Sequence, residues 1–339
     1  MVMNILYCSD NNYAPYLGVS MVSLLENNKR AQEINFYIVS DNISTDNIQR
    51  LENQVMTYGE SRRVIIVDGK EWVDRLDTMK MITYRGGHAA NLRLFFTDYI
   101  EEDVERILYL DCDTIICSDL SELFETEMKN SPAAIVLDSL SSYYKKALEF
   151  DAKEGYFNSG VILFDVKNWK EQNCRERIIE TIRDTKLPLV NPDQDVLNLV
   201  LHDQKIVLSP KYNFQTTHKV YSNKSYFKIY LKDGYYTDTE LENASEAPVI
   251  LHAYRFLGQF PWHKNAIHPW KELFWDYVKI SEWKDLEPRE NKGVLFAIER
   301  IAFKILPKTV FLFFFSKWQM YTFGKKIKEL KKMREENRK

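Results

Sequence analysis

A chain of 339 residues, 45% hydrophobic and 28% charged, has the composition of a soluble globular enzyme, with room for one large α/β domain or two smaller ones. Its net charge of −3 conceals an asymmetry: from Lys292 onward there are 13 Lys/Arg against 4 Asp/Glu, a net of +9, which leaves −12 on the rest. An acidic body argues against nucleic acid as a partner, and four cysteines with no C-x-x-C pair and no zinc-spaced histidine argue against a structural zinc or a disulfide framework.

In chain order, residues 4–9 (NILYCS) predict a buried strand, and 14–28 a helix with Leu17, Met21, Leu24 and Leu25 at helical spacing. A second strand follows over 34–40, then a helix with Ser44 as N-cap and Gly59 as its stop, then a third strand over 63–68. After an irregular stretch come a short amphipathic helix over 89–99 and a strand over 106–111. This succession predicts a parallel, doubly wound sheet. Ligands of such sheets sit beyond the carboxyl ends of the strands, where Asp10 and Asp111 fall. Further strands are expected over 133–138, 160–166 and 247–254, and helices over 168–184 and 193–202. The N-terminus lacks a basic region followed by a long apolar stretch, so no secretory leader is expected and the cysteines read as cytosolic free thiols. No apolar run reaches the roughly 18 residues of a spanning helix.

The stretch RILYLDCDTIICS places Asp111 and Asp113 at the end of a strand. Oxygen ligands in this D-x-D suit Mg²⁺ or Mn²⁺ bridging the oxygens of a diphosphate. A turn with two solvated aspartates would look the same in isolation. A haloacid-dehalogenase-type phosphatase is a second alternative, but its motif needs Thr or Val two places after the second Asp. Here Thr114 comes one place early and Ile115 fills the position.

The companions are CSDNNYAPYLGVSMVSLLENN, HAANLRLFFTDYI, YFNSGVILFDVKNW, NPDQDVLN, KYNF and LHAYRFLGQFPWH. As an ordered set over residues 4–270 they resemble the family 8 glycosyltransferases, which include bacterial lipopolysaccharide α-galactosyl- and α-glucosyltransferases and glycogenin. The resemblance implies a GT-A fold, an α/β architecture with a mixed, mostly parallel central sheet and helices on both faces. It implies retaining transfer of glucose or galactose from a UDP-sugar with Mn²⁺ (or Mg²⁺). Asp111, Asp113 and His252 would be the metal ligands. Asp10, Asn12, Tyr13, Arg93, Asp111, Asn158 and Gly258 would bind the donor, with Tyr13 near the uracil. Asp138, Asp193 and Gln194 would be the catalytic set, with Gln194 near the anomeric carbon. An amide is a poor nucleophile, so front-face attack is expected, without a covalent adduct on Asp193 or Asp138. One departure stands out: between Gly258 and Pro261–Trp262 only Gln259 and Phe260 intervene, and the family's diphosphate-binding lysine is missing. Lys264 or Arg255 is expected to supply that charge. A non-catalytic nucleotide-sugar-binding protein is the alternative this departure supports.

The segment 296–339 mixes aromatics with lysines. Phe296, Ile301, Phe303, Leu306, Phe311 and Phe314 offer an apolar face, and Trp318 and Tyr321 suit an interface. Glu299, Arg300, Lys304, Lys308 and Pro307 oppose a transmembrane span. The expectation is a catalytic domain over 1–280 and a basic amphipathic tail over 281–339. The tail would anchor the enzyme peripherally on the anionic inner membrane surface, near a glycan or lipid-linked glycan acceptor, and be dispensable for transfer to a soluble acceptor. The bland alternative is a helix packed on the body with a frayed, charged end.

Overall fold

The computed structural model describes residues 1–336 apart from 85, 141, 152, 231–233 and 292, so the last three residues of the expected tail lie outside the described ones. A seven-stranded sheet runs in the order β3-β2-β1-β4-β7-β6-β8. Its strands are β1 (Val2–Asp10), β2 (Glu33–Asp41), β3 (Arg62–Asp68), β4 (Arg106–Leu110), β6 (Ala133–Leu137), β7 (Phe157–Asp165) and β8 (Lys205–Val207). Only β7 runs antiparallel to its neighbours, so the sheet is mixed and mostly parallel. Helices cover both faces, which is why β1, β2 and β7 read as continuous apolar runs rather than alternating ones.

Local chemistry explains where prediction and structure part. Ser44 caps the helix Thr45–Met56 through its side chain, as its sequence context indicates. The helix expected over 168–184 is two helices, Val166–Glu171 and Cys174–Asp184, broken where Asn173 takes a left-handed conformation (φ 52°). Residues Ala89–Asp98 form a 3-10 helix interrupted at Phe95.

A second, three-stranded sheet has a counterpart in the sequence reading only in the strand expected over 247–254. It joins β5 (Thr114–Ile116), β10 (Ile250–His252) and β9 (Phe214–Gln215). Antiparallel pairing sets His252 opposite Thr114, and the Ala253 amide donates to the Asp113 carbonyl at 2.9 Å. This register carries the late histidine to the D-x-D turn.

Residues 281–290 strap back across the body. The Trp283 ring lies so close to Gly18 that a Cβ there would meet it at 2.0 Å. The Arg289 amide donates to the Trp262 carbonyl at 3.0 Å, and the Arg289 carbonyl accepts from the Lys264 amide at 2.9 Å. Two helices follow, Val294–Ile305 and Lys308–Glu336. The apolar face expected of the tail divides between them. Phe303, Phe311 and Leu312 are buried against Tyr221, Tyr226, Tyr230 and Phe256, while Ile301, Leu306 and Phe314 stay exposed. No described helix is long and apolar enough to cross a membrane.

Candidate active site

Asp111 follows the last residue of β4, Asp113 precedes β5, and His252 ends β10. One ligand atom from each lies within 4.8 Å of the others. His252 Nε2 is 3.3 Å from Asp113 Oδ1 and 3.6 Å from Asp111 Oδ2. The imidazole tautomer follows from a chain of hydrogen bonds. The Gly160 N–H donates to Asn158 Oδ1 (2.9 Å), which must therefore be the oxygen. Asn213 Nδ2 donates to that same oxygen (2.9 Å), which turns Asn213 Oδ1 toward His252 Nδ1 at 3.0 Å. Nδ1 thus carries the proton, and the Nε2 lone pair faces the carboxylates.

Gly160 is the floor of this arrangement. A Cβ there would sit 2.3 Å from His252 Cε1 and 2.7 Å from Asp111 Oδ2. Burial disfavours a charged imidazole, yet Asp113 and then Asp111 outweigh it and hold the His252 pKa above its ordinary value. The site thus attracts positive charge. Two carboxylates and a neutral imidazole nitrogen on a shared floor fit a divalent cation.

The triad opens into a cleft of ≈ 730 Å³. Of the twelve residues singled out in the sequence, eleven line it: Asp10, Asn12, Tyr13, Arg93, Asp111, Asp113, Asp138, Asn158, Asp193, Gln194 and His252. Gly258 does not. It is buried with φ +75°, and its Cα faces the Phe296 ring, which a Cβ would meet at 2.2 Å. Its glycine identity is explained by backbone conformation and by packing of the C-terminal helices, not by a ligand.

Arg93 is buried and occupied by protein groups. Nη1 donates to the Ser159 carbonyl (2.7 Å), Nη2 pairs with Asp111 (2.9 Å), and Nε donates to the Ala90 carbonyl (2.7 Å) and lies 3.3 Å from Asp193. It locks the orientation of two cleft carboxylates. Gln194 is equally committed: Nε2 donates to Asp138 Oδ2 and to the Tyr156 hydroxyl, both at 3.1 Å, while Oε1 accepts the Ser159 N–H at 3.0 Å. Asp138 Oδ2 also accepts from Asn158 Nδ2 at 2.9 Å. Burial raises the Asp193 carboxyl above its usual range, opposed by Arg93. Beneath them burial pushes Asp195 up to about 7, against the Tyr144 and Tyr156 hydroxyls that donate to it at 2.6 Å each.

Several cleft residues escaped the sequence reading. Arg289 lines the cleft, its Nη2 3.5 Å from the Asn12 carbonyl and its guanidinium 5.4 Å from the Tyr16 ring centre. Of the two residues expected to replace the missing lysine, Arg255 lines the cleft and Lys264 does not. Gln319, Met320 and Phe323 of the C-terminal helix complete one wall. Nothing local marks Arg289, Gln319, Met320 or Phe323: each reaches the cleft through pairing or packing with a distant segment.

Comparison with known proteins identifies relatives of the chain. The family model described as glycosyl transferase family 8 matches residues 4–266. General stress protein A of Bacillus subtilis is 29% identical over 290 residues, covering 84% of this chain and 96% of its own. A lipopolysaccharide 1,2-glucosyltransferase of Escherichia coli is 28% identical over 297 residues, covering 86% and 82%. Among solved structures, the galactosyltransferase LgtC in complex with donor and acceptor sugar analogues superposes with a TM-score of 0.65 at 22% identity, covering 84% of this chain and 99% of that one. The phosphatase alternative is thereby set aside. Thr114, which that motif would have needed elsewhere, is buried, with its hydroxyl bonded to the Asp111 carbonyl at 2.8 Å.

Proposed function

The chain belongs to glycosyl transferase family 8 and has the GT-A fold, and on that premise we propose that it transfers glucose or galactose from a UDP-sugar to a glycan acceptor with retention. The observation that carries the proposal is the cation-seeking triad Asp111–Asp113–His252 opening onto the same cleft as Gln194 and Asp138. Asp111, Asp113 and His252 would hold Mn²⁺ (or Mg²⁺), which when bound supplies Lewis-acid neutralisation of the departing diphosphate. Asp10, Asn12 and Tyr13 receive the nucleoside. Arg289 and Arg255, the cleft arginines nearest the altered Gly258–Trp262 motif, meet the diphosphate charge that the missing lysine would have met.

The way the side chains are held supports retention without an enzyme nucleophile. Gln194 Oε1 is engaged by the Ser159 N–H. Asp193 is held by Arg93 and the Ser159 hydroxyl, and Asp138 by two amides. Each group is oriented to fix sugar hydroxyls rather than to move onto an anomeric carbon, so the acceptor attacks from the face the diphosphate leaves. Among the relatives is a lipopolysaccharide glucosyltransferase, and a surface or lipid-linked glycan, met at the inner face of the cell membrane, is the acceptor class we propose.

The test is UDP release from UDP-glucose and UDP-galactose with Mn²⁺. The wild-type enzyme should release UDP from one of them, and Asp113→Ala should lower that rate by roughly 100-fold. Near-normal release by Asp113→Ala would reject the metal assignment. A glycosyl adduct on Asp193 or Asp138 in mass spectra would reject the front-face mechanism.

A further inference from the structure

We propose that the outer half of the cleft is the subsite for a neutral, hexose-terminated oligosaccharide, and that Gln319, Met320 and Phe323 of the C-terminal helix Lys308–Glu336 form its outer wall. The proposal rests on the glycosyl-transfer reading and adds the place and chemistry of acceptor binding.

The cleft has two chemical halves. The inner half carries the carboxylates and imidazole of the triad. On the outer half, the residues contributed by the helices Asn223–Tyr230 and Lys308–Glu336 are Tyr226, Tyr230, Gln319, Met320 and Phe323, none of them charged. Aromatic rings and a thioether accept the C–H face of a pyranose, and an amide serves its hydroxyls. Gln319 Oε1 already accepts the Tyr230 hydroxyl, so what this residue offers a ligand is N–H donors. A phosphorylated or carboxylated acceptor would find no cation among the residues that these two helices contribute to the cleft.

Position supports the same conclusion. Asp138, which holds Gln194, is followed by Ser139, whose carbonyl accepts the Tyr226 hydroxyl at 2.5 Å and whose hydroxyl lies 3.4 Å from that of Tyr254. One residue of backbone therefore separates the catalytic carboxylate from the aromatic wall. A sugar resting on that wall presents a hydroxyl beside Asp138 and Gln194, where an acceptor must attack.

The wall is rigidly attached. Lys326 Nζ donates to the Val190 carbonyl at 3.3 Å, the Phe323 and Tyr144 rings are 5.6 Å apart, and Ile327 and Leu330 are buried in the main core. Val190 immediately precedes Asn191, which lines the cleft beside Asp193 and Gln194. The C-terminal helix and the catalytic helix Pro192–Val200 are thus held as one frame.

The probes are lactose and maltose, with UDP-glucose or UDP-galactose and Mn²⁺, and the readout is the ratio of sugar transfer to UDP hydrolysis. Wild-type enzyme should transfer to at least one disaccharide. Met320→Trp, which fills the outer half, should lower the ratio roughly tenfold through a higher acceptor KM, and Gln319→Ala should lower it severalfold. Glu329→Gln, on the solvent side of the same helix, should match the wild type. An unchanged ratio in both cleft variants overturns the proposal. So does a parallel fall of hydrolysis and transfer, which would place the helix at the donor. Hydrolysis by the wild type without transfer to either disaccharide overturns the neutral-hexose assignment. Absence of any metal-dependent UDP release overturns the glycosyl-transfer reading itself, and this proposal with it.

Discussion

His252 can offer its Nε2 lone pair to a cation in only one of its two neutral tautomers, and Asn213 selects that one. Replacing Asn213 by Leu removes the acceptor for Nδ1–H and should weaken Mn²⁺ binding roughly 10- to 100-fold. Asn213→Asp keeps an oxygen in place and should bind Mn²⁺ at least as well as the Leu variant by tenfold or so. Titration of the metal-free protein with Mn²⁺, followed by the paramagnetic signal of the free ion, measures both without any turnover. Wild-type affinity in Asn213→Leu would show that packing alone orients the ring. The difference between Asn213 and the aspartates marks what a sequence reveals at this scale. Carboxylates at the end of a strand are conspicuous because burying them without a partner is costly. Asn213 is an unremarkable amide whose role exists only once β9 and β10 are paired and Asn158, 55 residues away, has fixed its orientation. Arg93 shows the reverse case. Its place in the cleft was anticipated, but its engagement with Asp111 and Asp193 could not be read from spacing.

Elements were legible where periodicity and caps acted locally. The first four strands and the helices Ala14–Asn27 and Thr45–Met56 follow from apolar runs and a serine cap, whereas the helix Lys70–Thr78 falls in a stretch that reads as irregular. The small sheet β5-β10-β9 was legible only in its strand within 247–254, because strands of two or three residues carry no periodic signal and β5 meets β10 only across more than a hundred residues. The C-terminal helices mislead differently, since their apolar residues serve two surfaces at once. Phe303, Phe311, Leu312, Ile327 and Leu330 are all buried. At roughly 1.5–3 kcal/mol for each buried side chain, their loss is comparable with the whole stability of a domain. Removal of residues 293–339 should therefore lower the thermal unfolding midpoint sharply and abolish transfer to soluble acceptors, contrary to a dispensable tail. A truncated protein with unaltered melting and transfer would restore the simpler division at residue 280.

At the scale of the whole molecule, the charge asymmetry acquires a geometry. Val294, Ile298, Ile301 and Ile305 recur at helical spacing on one helix, and Val310, Phe314, Trp318 and Tyr321 on the next, all exposed; Ile305 is 74% and Phe314 63% accessible. Two adjoining apolar stripes on the basic end of the chain form a surface that water does not favour. We propose an anionic bilayer as its occupant: the rings and isoleucines would enter the headgroup boundary and each nearby lysine would add roughly 1 kcal/mol. Because the same long helix walls the cleft with Gln319, Met320 and Phe323, membrane docking would bring the cleft to a lipid-linked acceptor. A quadruple variant, Ile298→Ser, Ile305→Ser, Phe314→Ser and Trp318→Ser, leaves the buried face intact. It should lose at least roughly tenfold in co-sedimentation with phosphatidylglycerol vesicles, while transfer to a soluble disaccharide persists. Wild-type binding should weaken as salt is raised, since part of it is Coulombic. Equal vesicle binding by the variant would reject the docking surface. A wild-type dimer in solution that the same substitutions dissolve would instead assign the stripes to a second copy of the chain, and the net charge of +9 from Lys292 onward on each copy would then oppose the contact, which is why the bilayer is the favoured occupant.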